Sequence, residues 1–326
     1  MKDTNEIKLM PKGDLHVHLN GLVSFELVKQ IIIEEKVVLP KNLKIPEDLY
    51  HTQPSSLEDY LKAWKILRLI PSNRANLKLL VESAFVNLKS DNIKFAEIRN
   101  SILYLATINK VPISTALGWL VEDMDEFSEK YNIRYGLIMS VPRSDTAVEH
   151  FHSLVNAYKQ LGKPRSIVGI DLSGNEEIPL SSDFGQEFVK AKENYGFGVT
   201  IHAGETGNVG NIIAAVNDFG ADRIGHGTVA AKHPEVMELL HQKNICLEVC
   251  PISNRLTKAI KEGERSPMLN FLDNGVSFVI GSDNPQIHQL TLSDDYAEFL
   301  KQTGDLKYLN NMIAIQYQYS FIKDLQ

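Results

Sequence analysis

The strongest constraint on the fold of this 326-residue chain is a regular alternation of short β-rich runs with longer helical patterns. Strand-helix alternation predicts a parallel sheet, and eight repeats are the number at which such a sheet closes. We therefore predict an α/β fold, a (β/α)8 TIM-type barrel. The eight predicted strands span residues 14–18, 93–99, 133–140, 167–171, 199–202, 223–226, 245–249 and 276–281.

The interval between the first two predicted strands is much longer than one helix requires. We expect residues 22–92 to include extra helices inserted after the first strand, one of them over 74–89. Barrel active sites form at the carboxyl-terminal ends of strands, so this insertion is a candidate lid. In that reading Leu61 and Trp64 face a planar substrate. No repeat or linker divides the chain, which predicts a single domain over residues 1–326.

The composition argues against several classes of protein. The formal net charge of −7 is opposite to the basic stripe of a dedicated nucleic-acid binder. No apolar run reaches the roughly 20 residues that a membrane span needs. Residues 1–12 are polar and lack the apolar core of a secretory signal. With Cys246 and Cys250 read as reduced core residues, we expect a cytoplasmic protein.

Ionisable side chains stand at the ends of several predicted strands. His18, Asp171, His202 and His226 end the first, fourth, fifth and sixth, and Asp283 lies just past the eighth. These ends share one rim of a parallel barrel, so the residues are expected to converge. A capped or hydrogen-bonded polar residue explains any one of them. The whole set predicts a shared catalytic site.

His16 and His18 point to the same side of an extended strand because side chains alternate along it. With His202 and Asp283 they supply three nitrogens and one carboxylate oxygen, a ligand set suited to one zinc ion per chain. A further coordination position left open to water would make the site catalytic, and the pKa of the bound water would approach neutrality.

Three other residues are placed for chemistry or binding at the same rim. Glu205 follows His202 on a glycine-containing turn, where it can move protons on a substrate without ligating the metal. His226 could orient the metal-bound water or help to deprotonate it. Gly174 would let backbone N–H groups approach a flat ligand closely.

Six motifs occur in order along the chain: PKxDLHVHLxG from residue 11, DLSG from 171, HAGET from 202, RIGHG from 223, LEVCPxSN from 247 and SDxP from 282. None is specific alone. Together they resemble the adenosine deaminase family of metal-dependent hydrolase barrels. The resemblance implies a (β/α)8 barrel, one zinc ion held by His16, His18, His202 and Asp283, and hydrolysis of adenosine to inosine and ammonia.

The resemblance also implies roles for individual residues. Glu205 would donate a proton to purine N1, which breaks the conjugation of the ring and opens C6 to attack. His226 would act on the zinc-bound water, and the backbone N–H of Gly174 would hold purine N3. We therefore expect Glu205, His226 and Asp283 to be catalytic, and His18, Asn20, Gly174 and Asn284 to contact the substrate.

Two positions depart from the commonest family pattern. Asn20 replaces an aspartate at a position that contacts the ribose 5′-hydroxyl in the family. A neutral amide could donate to a 5′-phosphate there, and the His-Leu-Asn-Gly spelling also resembles the N6-methyl-AMP deaminase branch. Asn284 replaces an aspartate that contacts purine N7, to which an amide N–H can donate. N6-methyl-AMP, AMP and adenine are therefore alternative substrates. The role of His288, five residues past Asp283, stays open between a structural residue and one that reaches the mouth and contacts a phosphate.

Other readings stay open. Another hydrolase on the same scaffold would be favoured by a bridging carboxylated lysine, but no lysine at a strand end stands out. A zinc deaminase of the cytidine type expects His-x-Glu and Pro-Cys-x-x-Cys, whereas this chain has His-x-x-Glu and Cys-x-x-x-Cys. A purine-binding protein without turnover would share the pocket and lack the chemistry.

Overall fold

The computed structural model describes residues 4–45, 49, 54 and 57–325. Eight parallel strands lie in the order β1 to β8, each hydrogen-bonded to the next along the chain. The backbone N–H of His18 donates to the carbonyl of Asp283 (2.9 Å), which joins β1 to the segment after β8. The predicted (β/α)8 barrel is thus confirmed. The strands are β1 Lys12–His18, β2 Ile93–Asn100, β3 Arg134–Pro142, β4 Ile167–Ser173, β5 Gly198–Ala203, β6 Arg223–His226, β7 Cys246–Val249 and β8 Phe278–Ile280.

Helices follow every strand. Each strand connects to its successor through at least one helix, as right-handed packing of parallel strands requires. Additional helices precede β1, follow β7 and β8, and close the chain. The helices are Thr4–Leu9, Phe25–Glu34, Leu57–Tyr60, Lys62–Leu67, Arg74–Ser90, Ile102–Asn109, Ile113–Tyr131, Ala147–Gln160, Ser182–Tyr195, Val209–Asn217, Pro234–Gln242, Pro251–Leu256, Pro267–Asp273, Pro285–His288, Leu292–Thr303 and Leu306–Tyr319.

The insertion after β1 is helical where it is described. Lys62–Leu67 packs its apolar side inward, with Ala63, Ile66 and Leu67 buried. Arg74–Ser90 begins after Asn73, whose side chain accepts a hydrogen bond from the backbone N–H of Asn76. Part of the predicted insertion, residues 46–48, 50–53 and 55–56, lies outside the described residues.

A small apolar cluster fills the barrel near the amino-terminal ends of the strands. Ile322, from the segment after the last helix, packs there against strand residues such as Phe95 and Val168. This end is closed, so access to the interior is from the carboxyl-terminal rim. In the described part of the chain, no helix has both the length and the apolar character needed to cross a bilayer.

Candidate active site

Three histidines from two strands meet at the carboxyl-terminal rim. Nitrogen atoms of His16, His18 and His202 all lie within 4.8 Å of one another. The loop after β8 brings Asp283 to the same point, with its Oδ1 3.4 Å from His18 Nε2 and 3.7 Å from His16 Nε2. Residues far apart in sequence therefore form one compact group of three nitrogens and a carboxylate.

Buried carboxylates hold two of these rings. Glu248 accepts a hydrogen bond from His16 Nδ1 (2.7 Å), and Asp171 accepts one from His202 Nδ1 (2.8 Å). A proton on Nδ1 leaves the lone pair on Nε2, and a ring in this tautomer can ligate a metal through Nε2. His16 Nε2 is buried and has no hydrogen-bond partner among the described residues. The group thus has the donor atoms that a divalent metal ion requires. The Nδ1 bonds of His16 and His202 leave Nε2 of each ring available, and Nε2 of His16 has no other hydrogen-bond partner among the described residues.

Burial keeps His16 and His18 neutral, whereas at His202 the carboxylate of Asp171 outweighs desolvation and raises the pKa. Desolvation, reinforced by the charge of Arg99, lowers the pKa of His16 well below its ordinary value. Desolvation also lowers the pKa of His18 to about 4, although Asp283 opposes this shift. Both rings are therefore unprotonated at neutral pH, and only an unprotonated imidazole can bind a metal.

Glu248 contacts this group directly and is a residue that the motif analysis did not assign. It is fully buried on β7, where it also accepts hydrogen bonds from Arg99, Arg223 Nε (2.6 Å) and Thr200 Oγ1 (3.0 Å). Desolvation raises its pKa, but the two guanidinium charges outweigh burial, and the net pKa lies below the ordinary value. The signal was present in the sequence as a single carboxylate inside an apolar strand, a placement that needs a charged partner.

Asp283 has an unusual backbone. Its φ of 58° lies in the left-handed region, which a non-glycine residue adopts rarely and at some cost. Its Oδ2 accepts a hydrogen bond from Ser253 Oγ (2.6 Å), so Oδ1 is left facing the histidines. The turn and the serine together aim one carboxylate oxygen at His16 and His18.

Glu205 and His226 lie side by side next to this group. His226 Nε2 is 3.9 Å from Glu205 Oε2, and both residues line the pocket above the ligands. Neither is among the three histidines and the aspartate that converge. The pair is therefore free to act on a bound molecule.

The pocket has a volume of about 330 Å³, within the range of small-molecule sites. His18, Glu205, His226 and Asp283 form its polar end. The ring of Trp64 lies 5.4 Å from that of His18, so the inserted helices supply part of the wall. Apolar residues make up much of the remaining wall, including Leu61, Leu77, Leu80, Ile70 and Leu105.

The other predicted substrate contacts also line this pocket. Gly174 does so with a φ of 92°, a conformation that favours glycine. Asn20 donates from Nδ2 to the carbonyl of Leu67 (3.3 Å). Asn284 donates from Nδ2 to Tyr60 Oη (2.9 Å). Asn20 and Asn284 each keep one amide hydrogen that these bonds do not use.

His288 is buried and is not part of the pocket wall. Its Nε2 lies 2.7 Å from Tyr60 Oη, and Tyr60 does line the pocket. The structure thus places His288 beside Tyr60 and not among the residues that line the pocket.

Glu176, which the sequence analysis did not single out, holds the turn that carries Glu205. Its carboxylate accepts hydrogen bonds from the backbone N–H of Gly204 (2.6 Å) and from that of Thr206, one on each side of Glu205. Asn211 Nδ2 donates to the same carboxylate (3.1 Å). Glu176 lies in the loop after β4, so this loop and the loop after β5 are tied together.

Glu176→Gln is expected to lower kcat by up to about 10²-fold, with little change in metal content. A glutamine has one acceptor oxygen, so one of the two backbone N–H groups would face an NH₂ donor, and Glu205 would shift. Steady-state kinetics and metal analysis measure both quantities. Glu177→Gln, at the neighbouring exposed residue, is the matched control. Equal kcat values for the two variants would show that the turn does not depend on Glu176.

A barrel with a histidine and carboxylate group at its carboxyl-terminal rim, beneath a small-molecule pocket, defines a metal-dependent hydrolase. The chain matches the family model for adenosine deaminase over residues 11–316. It belongs to the adenosine deaminase family.

Individual relatives agree with this assignment. The chain is 31% identical over 321 residues to an adenosine deaminase of Clostridium botulinum strain 657, with 94% of each protein covered. It is 31% identical over 303 residues to that of Clostridium kluyveri, covering 90% of this chain and 84% of that protein.

Two solved structures share the fold. Adenine deaminase of Arthrobacter aurescens has a TM-score of 0.85 at 21% identity, over 96% of this chain and 94% of that one. The N6-mAMP deaminase of Arabidopsis has a TM-score of 0.84 at 22% identity, over 98% and 96%. At these identities the likeness concerns the fold.

Proposed function

We propose that this protein is a zinc-dependent deaminase that hydrolyses adenosine to inosine and ammonia. The observation that carries the proposal is the convergence of three histidines and Asp283 beside a carboxylate and a fourth imidazole, at the polar end of an otherwise largely apolar pocket. Such a pocket suits a flat aromatic ring whose reacting edge faces the polar end. The 31% identity to adenosine deaminases supports adenosine as the first choice.

His16, His18, His202 and Asp283 would hold the zinc ion. Three nitrogens and one carboxylate oxygen are ligands that zinc accepts, and a catalytic zinc site keeps a position open to solvent. Zinc, when bound, would make a water molecule nucleophilic near neutral pH. Glu248 and Asp171 would orient the ligand rings and increase their basicity.

The residues of the chain supply the proton transfers. Glu205 would donate a proton to purine N1 while water adds to C6. Of the two protons of that water, one would return to the Glu205 carboxylate and the other would pass to the amino group. The C6–N bond breaks, ammonia leaves and the 6-oxopurine remains. Each such acid-base step is worth about 10²–10⁴-fold in rate. The backbone of Gly174 would hold N3, and Asn284 would donate its second amide hydrogen to N7.

Steady-state kinetics on adenosine, adenine, AMP and N6-methyl-AMP test this proposal. Formation of the 6-oxopurine is followed by chromatography, because N6-methyl-AMP releases methylamine and an ammonia assay would miss it. We expect the highest kcat/KM for adenosine, its loss after chelation and its return with zinc. Absence of turnover on all four compounds would refute a deaminase.

A nucleoside monophosphate is the second candidate substrate, and two cations favour it. Lys65 and Arg68 line the pocket, and neither forms an ion pair with any described residue. Leu67, whose carbonyl accepts the Asn20 amide, lies between them in sequence. A pocket wall that carries a neutral amide and two cations without an ion pair to a described residue is suited to a 5′-phosphate. The N6-mAMP deaminase of Arabidopsis has the same fold.

Lys65→Met and Arg68→Met separate the two candidates. If a phosphate is bound there, each change is expected to raise KM for the monophosphate about tenfold, because a charge-assisted hydrogen bond is lost. KM for adenosine should not change. Equal KM values for the monophosphate before and after both changes would refute a phosphate site at Lys65 and Arg68.

A further inference from the structure

Asn254 has a fixed amide orientation. It is fully buried on the helix Pro251–Leu256, directly after β7. The backbone N–H of Cys250 donates to Asn254 Oδ1 at 3.2 Å. A backbone N–H can only donate, so this bond identifies the oxygen of the side chain and places Nδ2 on the other side.

That Nδ2 lies 2.9 Å from Nδ1 of His226. An amide NH₂ is a donor only, so Nδ1 of His226 must accept. A neutral imidazole carries one N–H and one lone pair, so the proton of His226 is on Nε2. Nε2 is the atom that lies 3.9 Å from the Glu205 carboxylate, on the pocket side of the ring.

The neighbouring rings carry the opposite tautomer. His16 and His202, whose ring centroids lie 4.9 and 5.3 Å from that of His226, meet carboxylates at Nδ1 and so keep their lone pairs on Nε2. The partner of Nδ1 thus distinguishes His16 and His202, two of the proposed metal ligands, from His226. Because the lone pair of His226 is already engaged with Asn254, this ring is not suited to be a fifth ligand.

We propose that Asn254 holds His226 in the Nε2–H tautomer, so that His226 donates a hydrogen bond to the oxygen that attacks the substrate and does not remove a proton from it. A donor aimed at the atom where negative charge develops stabilises the transition state. Of the two roles that the sequence left open for His226, orienting the water is the one that fits. Asn254 is then a positioning residue, and this assignment of roles rests on the proposed deaminase function.

The tautomer is measured without substrate. Long-range proton-nitrogen NMR of the metal-loaded, ¹⁵N-histidine-labelled protein distinguishes protonated from unprotonated ring nitrogens, and His226→Gln assigns the signal by its loss. We expect Nε2 of His226 to be protonated and Nδ1 to be an acceptor. A proton on Nδ1 overturns the proposal. This measurement stands whether or not the protein deaminates adenosine, so it is independent of the proposed function.

Asn254→Asp tests the consequence for catalysis. A carboxylate can still accept from the Cys250 N–H but cannot donate to His226, so the proton is expected to move to Nδ1. We expect kcat to fall about 10²–10³-fold, with metal content and KM nearly unchanged. Asn244→Asp is the matched control, because Asn244 lies at the other end of the barrel and its side chain, among the described residues, only accepts from Tyr319 Oη. An unchanged kcat in Asn254→Asp overturns the role given to His226, and if this variant does not fold, the NMR measurement on the unmodified protein decides.

Discussion

Glu205→Gln is expected to lower kcat by about 10²–10⁴-fold while the protein keeps its metal, because the amide cannot donate or accept the proton that C6 activation requires. The side chain of Glu205 is 15% exposed and lines the pocket, where a substrate can reach it. It is not one of the four residues that would ligate the metal. The measurements are steady-state kinetics and the metal content per chain.

The control for this variant is Glu177→Gln. Glu177 is an exposed carboxylate close to the same turn, hydrogen-bonded to Thr206 Oγ1, and it does not line the pocket. The Glu177→Gln variant shows how much kcat changes when one negative charge is removed near this turn. Turnover by Glu205→Gln close to that of this control would remove Glu205 from the mechanism.

His16→Ala should abolish stable metal binding and, with it, activity. The variant loses a ligand, and it also leaves the buried carboxylate of Glu248 without the ring N–H that it accepts from. Loss of an outer partner of a ligand typically costs about 10–100-fold in metal affinity, and loss of the ligand itself should cost more. Metal content after dialysis and competition with a chromogenic chelator measure the effect.

His241→Ala provides the comparison, since His241 is exposed and hydrogen-bonded only to the carbonyl of Gly275 (2.8 Å) among the described residues. It should bind metal like the unmodified protein. Circular dichroism checks that His16→Ala is folded. A folded His16→Ala protein with unchanged metal content would refute the ligand role of His16.

Much of the fold was predictable because its signals are local. Strand β6 was predicted with its observed bounds, Arg223–His226, and the helix predicted over 74–89 is observed as Arg74–Ser90. Ile102–Asn109 was not predicted at all. Asp171 and His202 were taken as strand ends, although each strand continues a little further, to Ser173 and Ala203.

Part of the candidate site was also predictable from the sequence, and part was not. Residue types that carry chemistry, placed at the ends of predicted parallel strands, are readable in the sequence because strand order alone brings those ends to one rim. The hydrogen-bond partners of the histidine Nδ1 atoms cannot be predicted from the sequence. Glu248 lies 232 residues from His16, and Asn254 lies 28 residues from His226.

The sequence by itself therefore determined which side chains gather, and with them the class of reaction. Only the tertiary structure decided the tautomer of each ring, and hence which imidazoles can bind metal and which one can donate. The physical reason is that a tautomer depends on a hydrogen bond of about 3 Å between residues on different strands and helices. Such a distance exists only after the barrel has closed.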